Sequence, residues 1–165
     1  MLAYLFWHRP RPGVEQEEYE EAQHRFHSLL EIESACFRLE RLPFAEAPGY
    51  EDWYLVEDWQ ALGELNVAAV DARRRGGHDR AAALAADGWG GIYRAVRGPA
   101  EIPGVAEWLH KPRGEATADF LGGLPEGAGA WQRQMVLGPA PEFCVARPGP
   151  PEDRRALLGT APPRP

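Results

Sequence analysis

Two stretches, Trp7-His8-Arg9-Pro10-Arg11-Pro12-Gly13 and Leu109-His110-Lys111-Pro112-Arg113-Gly114, carry the same phrase. Each ends an aromatic-rich run with His, a basic residue, Pro, Arg and Gly, and each leads into an acidic segment of helical character. Proline lacks a backbone donor, so a central strand does not run on through it. The phrase therefore marks a strand-to-helix corner, and its recurrence predicts a structural unit present twice.

Residues 2–8 before the first corner are aromatic and aliphatic and read as a strand, with Tyr4, Phe6 and His8 on one face and Leu5 and Trp7 on the other. A helix is expected over 14–32: acidic residues fill its first turns, and Tyr19, Ala22, Phe26, Leu29 and Leu30 form one stripe. Strands follow over 34–42 and 50–57, then a helix over 59–75, capped by Asp58, with Leu62, Leu65, Ala69 and Ala72 on one face. His78-Asp79 opens a small alanine-rich helix to 87; Gly88-Trp89-Gly90-Gly91 breaks it; 92–97 is a fourth strand. The order βαββαβ is the split βαβ unit of the ferredoxin-like architecture.

After a linker at 98–104 the order recurs in shorter form: strand 106–111, a weak helix 115–124, strands 130–137 and 142–146, and a short helix from Pro151 to near Gly159. Gly and Pro concentrate in this part, which predicts a looser unit without a fourth strand that needs the first as a packing surface. The expected domains are 1–98, a complete unit, and 104–165, a shortened unit with a Pro-rich tail.

Composition excludes several classes. The formal charge is −7 and the longest basic run is Arg73-Arg74-Arg75, which argues against a nucleic-acid partner. No stretch approaches the roughly 20 apolar residues that span a bilayer, so no membrane partner is expected. The chain opens on a strand-like run without a basic leader, so no signal peptide is expected. Cys36 and Cys144 have no ligand spacing and read as buried thiols of a cytoplasmic protein. No phosphate loop, nucleophile elbow, zinc spacing or dinucleotide fingerprint is present.

On the strand Tyr4-Leu5-Phe6-Trp7-His8, the helix after it, and the phrase Trp53-Tyr54-Leu55-Val56-Glu57-Asp58-Trp59 with the stripe Leu62/Leu65, the chain resembles the dimeric α/β-barrel superfamily in its tandem, single-chain form. The resemblance implies an α+β fold of two ferredoxin-like units, the second truncated, packed sheet to sheet as a pseudo-dimeric barrel. The superfamily holds monooxygenases, lactone isomerases, haem proteins and ligand-sensing domains. Its haem-degrading members are expected to show an Asn on the first strand; here the only Asn is Asn66, on a predicted helix, and none of that family's catalytic residues carries over.

Among candidate residues, His8 and His110 occupy matched corners and either cap strand ends or serve a pocket as base or ligand. His78 opens a helix or sits over a pocket mouth. His24 and His27 could imitate a metal face, but fall on the polar side of the helix stripe and read as solvated, so no metal is expected. Strand arginines 38, 41, 94 and 133 need carboxylates, for which Glu40, Asp52 and Glu57 are available. The many Trp and Tyr residues bring polar edges and suit a cavity for a flat molecule as well as a core.

The function expected is binding or transformation of a small, partly aromatic molecule in a barrel pocket, of the cofactor-independent monooxygenase or isomerase kind. His8 or His78 is then the base and Tyr54 a hydrogen-bond donor, with Phe6, Trp53, Tyr93, Trp108 and His110 binding the ligand. The alternative is a ligand-sensing or assembly module without a catalytic site. Either way the expected state is a monomer built as a pseudo-dimer, or a homodimer.

Overall fold

A computed structural model describes residues 1–69, 75–136, 138–147 and 154–156. The elements in chain order are β1 (Leu2–Pro10), α1 (Gln16–Ser28), β2 (Ser34–Leu39), β3 (Gly49–Val56), α2 (Trp59–Ala69), α3 (Arg75–Leu84), β4 (Ala85–Arg97), β5 (Val105–Leu109), α4 (Thr117–Gly122), β6 (Gly129–Val136), β7 (Phe143–Arg147) and β8 (Arg154–Ala156). The strands form one antiparallel sheet in the order β5-β7-β6-β4-β1-β3-β2-β8.

The sheet is curled. In a flat sheet β5 and β3 stand five strands apart in this order, a gap of about 24 Å at the usual strand spacing. Yet the indole of Trp108 on β5 donates a hydrogen bond to Glu51 on β3 at 3.0 Å. The concave face is aromatic: Trp7, Trp53, Tyr93 and Trp131 are fully buried there with Leu5, Phe37 and Leu55. Alternation along β1 sends Leu2, Tyr4, Phe6 and His8 to the opposite face, under the helices, as the sequence predicts.

Helix α1 docks on that face through Tyr19, Ala22, Gln23, Phe26 and His27. The buried stripe is wider than the apolar pattern implies, because it admits Gln23 and His27; the reading of His27 as solvated is corrected, whereas His24 is exposed. Gly88-Trp89-Gly90-Gly91 does not break a helix before a strand. It lies inside β4, where a Cβ on Gly88 would come within 2.3 Å of the Phe6 ring. The glycine leaves space for an aromatic ring of the neighbouring strand to lie across the sheet.

Near the C-terminus, Arg154–Ala156 is a strand on the edge of β2, where a helix and no fourth strand of the second unit are expected; both expectations are corrected at these residues, and the rest of the expected helix, with Ala72 of the α2 stripe, lies outside the described residues. The two corners do match in backbone. Gly13 and Gly114 are left-handed at φ 85° and 83°, and the helices behind them start from Glu15 at φ −67°, ψ 141° and Ala116 at φ −69°, ψ 143°. Each corner also closes one i to i−3 backbone bond, Val14 N–H to Arg11 and Glu115 N–H to Pro112.

Aligned on these glycines, His8 corresponds to Leu109 rather than His110, because the first phrase has one extra residue. A one-residue offset reverses the face of a strand side chain, and His110 falls past the end of β5 and is exposed. The pairing of His8 with His110 as equivalents is therefore corrected.

Candidate functional site

The helix face of the sheet carries a buried polar cluster centred on Asp52. Register explains its assembly. On β3, Asp52 lies directly opposite Cys36 of β2 and opposite Phe6 of β1, so His8, two residues on from Phe6, reaches it diagonally. From α1 above, His27 reaches the same carboxylate. His8, His27, Cys36 and Asp52 are each no more than 5% exposed.

His8 Nε2 lies 3.1 Å from Asp52 Oδ2, and His27 Nε2 lies 3.3 Å from Asp52 Oδ1. Tyr54 donates its hydroxyl to Asp52 Oδ2 at 2.8 Å and lies 3.3 Å from His27 Nε2. Behind the imidazoles, His8 Nδ1 meets the Tyr19 hydroxyl at 2.5 Å and His27 Nδ1 meets Ser34 Oγ at 2.9 Å. Stacked rings hold both histidines in plane: His8 on Tyr50 with a 7° tilt, His27 on Tyr54 with 13°.

Burial alone raises the pKa of Asp52, but the adjacent His8 and His27 outweigh it and hold the carboxyl far below the usual range. The surrounding acids move the other way. Burial first, and then the Asp52 charge, push the Tyr54 hydroxyl and the Cys36 thiol well above their ordinary values, and Tyr54 donates a hydrogen bond to that carboxylate. The result is one buried anion ringed by groups that keep their protons.

This cluster forms one wall of a cavity of about 360 Å³ between the sheet and α1, α2 and α3. His8, Asp52 and Tyr54 supply polar wall atoms; Tyr4, Phe6 and Phe26 supply aromatic ones. The chemistry available is proton exchange at His8 beside a fixed anion, against flat apolar walls that suit an aromatic molecule.

The sequence-predicted residues divide between the two faces. His8, Tyr54 and Phe6 meet in this cavity, and His78, half-buried on α3 against Phe26, borders it. Trp53, Tyr93 and Trp108 lie on the concave face, away from it. There the buried side chain of Glu51 accepts three indole N–H bonds, from Trp7 at 2.9 Å, Trp53 at 2.6 Å and Trp108 at 3.0 Å, and Tyr93 donates to the Pro141 carbonyl at 2.7 Å. His110 joins neither group.

Asp52, His27 and Cys36 were missed as site residues. The available signal was the run Tyr50-Glu51-Asp52-Trp53-Tyr54, with a carboxylate for each face of one aromatic strand. Among the described residues, Arg38 pairs with Glu20, Arg41, past the end of β2, pairs with Glu46, and Arg133 donates to the Ala140 carbonyl. No protein-family profile, curated protein or solved structure matches this chain.

Proposed function

We propose that the chain binds a small, partly aromatic molecule in the helix-side cavity, and that His8 takes a proton from it. One observation carries this: His8 Nε2 is buried at the cavity wall beside Asp52 and has no hydrogen-bond partner among the described residues. In the neutral form of His8 with Nδ1–H given to the Tyr19 oxygen, Nε2 has a lone pair at the wall, and the proton it takes makes the imidazolium that the adjacent Asp52 carboxylate stabilises. Tyr54 keeps its proton and orients the carboxylate.

We also propose the tandem ferredoxin-like barrel of the dimeric α/β-barrel superfamily as the underlying design. In support, β5-β7-β6 repeats the order β1-β3-β2. The two halves also exchange strands, β4 pairing with β6 and β8 with β2, which are counterpart pairings when the halves are swapped.

A thermal-shift screen with small aromatic acids, quinones and quinols tests the ligand reading, since a molecule that binds only the folded chain raises Tm. The expected result is a hit whose shift, and whose proton exchange with solvent, disappear in the His8→Ala, His78→Ala double variant. Unchanged affinity and exchange in that variant would overturn the proposal.

A further inference from the structure

We propose that His8, Cys36 and Asp52 form a binding site for a single divalent transition-metal ion of the zinc type, with a fourth position open to the helix-side cavity. The ligand atoms of these three buried residues lie within 4.8 Å of one another. Each comes from a different neighbouring strand, β1, β2 and β3, so the sheet register fixes their spacing. One imidazole, one thiolate and one carboxylate form the mixed nitrogen, sulfur and oxygen set that zinc and cobalt accept and that magnesium and calcium do not.

The second observation is one of direction. His8 Nε2 and Asp52 Oδ1 are buried polar atoms without a hydrogen-bond partner among the described residues, although an imidazole nitrogen stands close to each carboxylate oxygen. Nitrogen and oxygen that bind each other point at each other. Nitrogen and oxygen that share an ion both point at the ion, and stand about 3.3 Å apart when its bonds are near 2.0 Å and tetrahedral. His8 Nε2 stands 3.1 Å from Asp52 Oδ2, which already accepts the Tyr54 hydroxyl, without hydrogen-bond alignment at the nitrogen, and the other carboxylate oxygen, Oδ1, is left without a donor, so both Nε2 and Oδ1 remain available to an ion.

The neighbours have the roles that support such ligands. Tyr19 lies on the far nitrogen of His8, and Tyr54 donates its hydroxyl to the carboxylate. Binding replaces the Cys36 thiol proton, which leaves to solvent, and the ion takes the His8 lone pair. Ion and substrate proton thus compete for one nitrogen, so the ion-loaded chain is not the form in which His8 acts as base. This inference is independent of the small-molecule reading.

The test uses the full chain, titrated with Co²⁺ and Zn²⁺ after chelator treatment. The expected result is one Co²⁺ per chain, with the visible bands of a tetrahedral site and a thiolate-to-cobalt charge-transfer band, both displaced by Zn²⁺. Cys36→Ser should abolish the charge-transfer band, while Cys144→Ser, at a buried thiol on the concave face, should keep it. His8→Ala and Asp52→Asn should each weaken binding at least tenfold, while His24→Ala, at the exposed histidine, should leave it unchanged. Folding of every variant is checked by circular dichroism. Absence of stoichiometric binding in the wild-type chain would overturn the proposal, as would a charge-transfer band that survives in Cys36→Ser. Neither result bears on the proton-transfer reading, which is measured in metal-free protein.

Discussion

At the residue scale the adjacent acids Glu51 and Asp52 show how one dipeptide serves two faces. Both are buried, and strand alternation points them in opposite directions. Asp52 meets groups that titrate and a cavity, whereas Glu51 meets three indole N–H donors, which bind but exchange no proton under ordinary conditions. Chemistry therefore belongs to Asp52 and architecture to Glu51. Glu51→Gln keeps the shape but replaces one acceptor oxygen by an NH₂ that faces an indole N–H. Leaving buried donors without acceptors costs about 2–4 kcal/mol here. Urea melts followed by tryptophan fluorescence should show that loss together with a changed emission spectrum, while metal binding at the other face stays intact. A variant as stable as wild type would mean that the three indoles do not depend on this side chain.

At the scale of elements, β4 shows why part of the fold was legible and part was not. The aromatic alternation of β1 and the tyrosine, phenylalanine and alanine spacing of α1 follow from period alone, and both elements form with the expected faces. Gly88, Gly90 and Gly91 looked like a break because glycine weakens an isolated strand. At Gly88 the reason is a partner on another strand, the Phe6 ring, which lies where a Cβ would sit; the Tyr4 ring crowds Gly90 more mildly, and at Gly91 the crowding ring is Tyr93 of β4 itself. No local pattern reports that contact. His27 was misread for a related reason, since an apolar moment counts a histidine as polar whether or not Ser34 and Asp52 wait beneath it. Gly88→Ala should push the Phe6 ring into the cavity and cost about 1–3 kcal/mol by overpacking. Phe6→Leu should then cost less in the Gly88→Ala background than alone, a coupling that a double-mutant cycle measures. Additive costs would remove the steric explanation for the glycine.

At the scale of the whole molecule, all five tyrosines are shifted in one direction. Burial raises the hydroxyls of Tyr4, Tyr19, Tyr50, Tyr54 and Tyr93 above the ordinary value of 10.0, and nearby carboxylates add to the shift: Asp52 for Tyr4, Tyr19 and Tyr54, and Glu20 for Tyr50. These shifts arise on both faces of the sheet, because the curl that seats Trp108 over Glu51 buries Tyr93 as the helices bury the other four. The consequence for stability follows by linkage. A phenol whose folded pKa is raised binds its proton more tightly in the folded chain than in the unfolded one. Its contribution is fully present below the unfolded value, about 10, and is lost as pH rises from there through the folded value. Stability should therefore fall steeply above about pH 10. In a spectrophotometric titration tyrosinate absorbance should not grow residue by residue; it should appear together with loss of the far-ultraviolet signal of the sheet. Tyr93→Phe removes one such phenol and its hydrogen bond to the Pro141 carbonyl, so it should cost about 1 kcal/mol at neutral pH. Its remaining stability should decline less steeply with alkali than that of the wild-type chain. Tyrosinate absorbance that rises near pH 10 while the sheet signal persists would show that the packing around these rings is looser than the geometry implies.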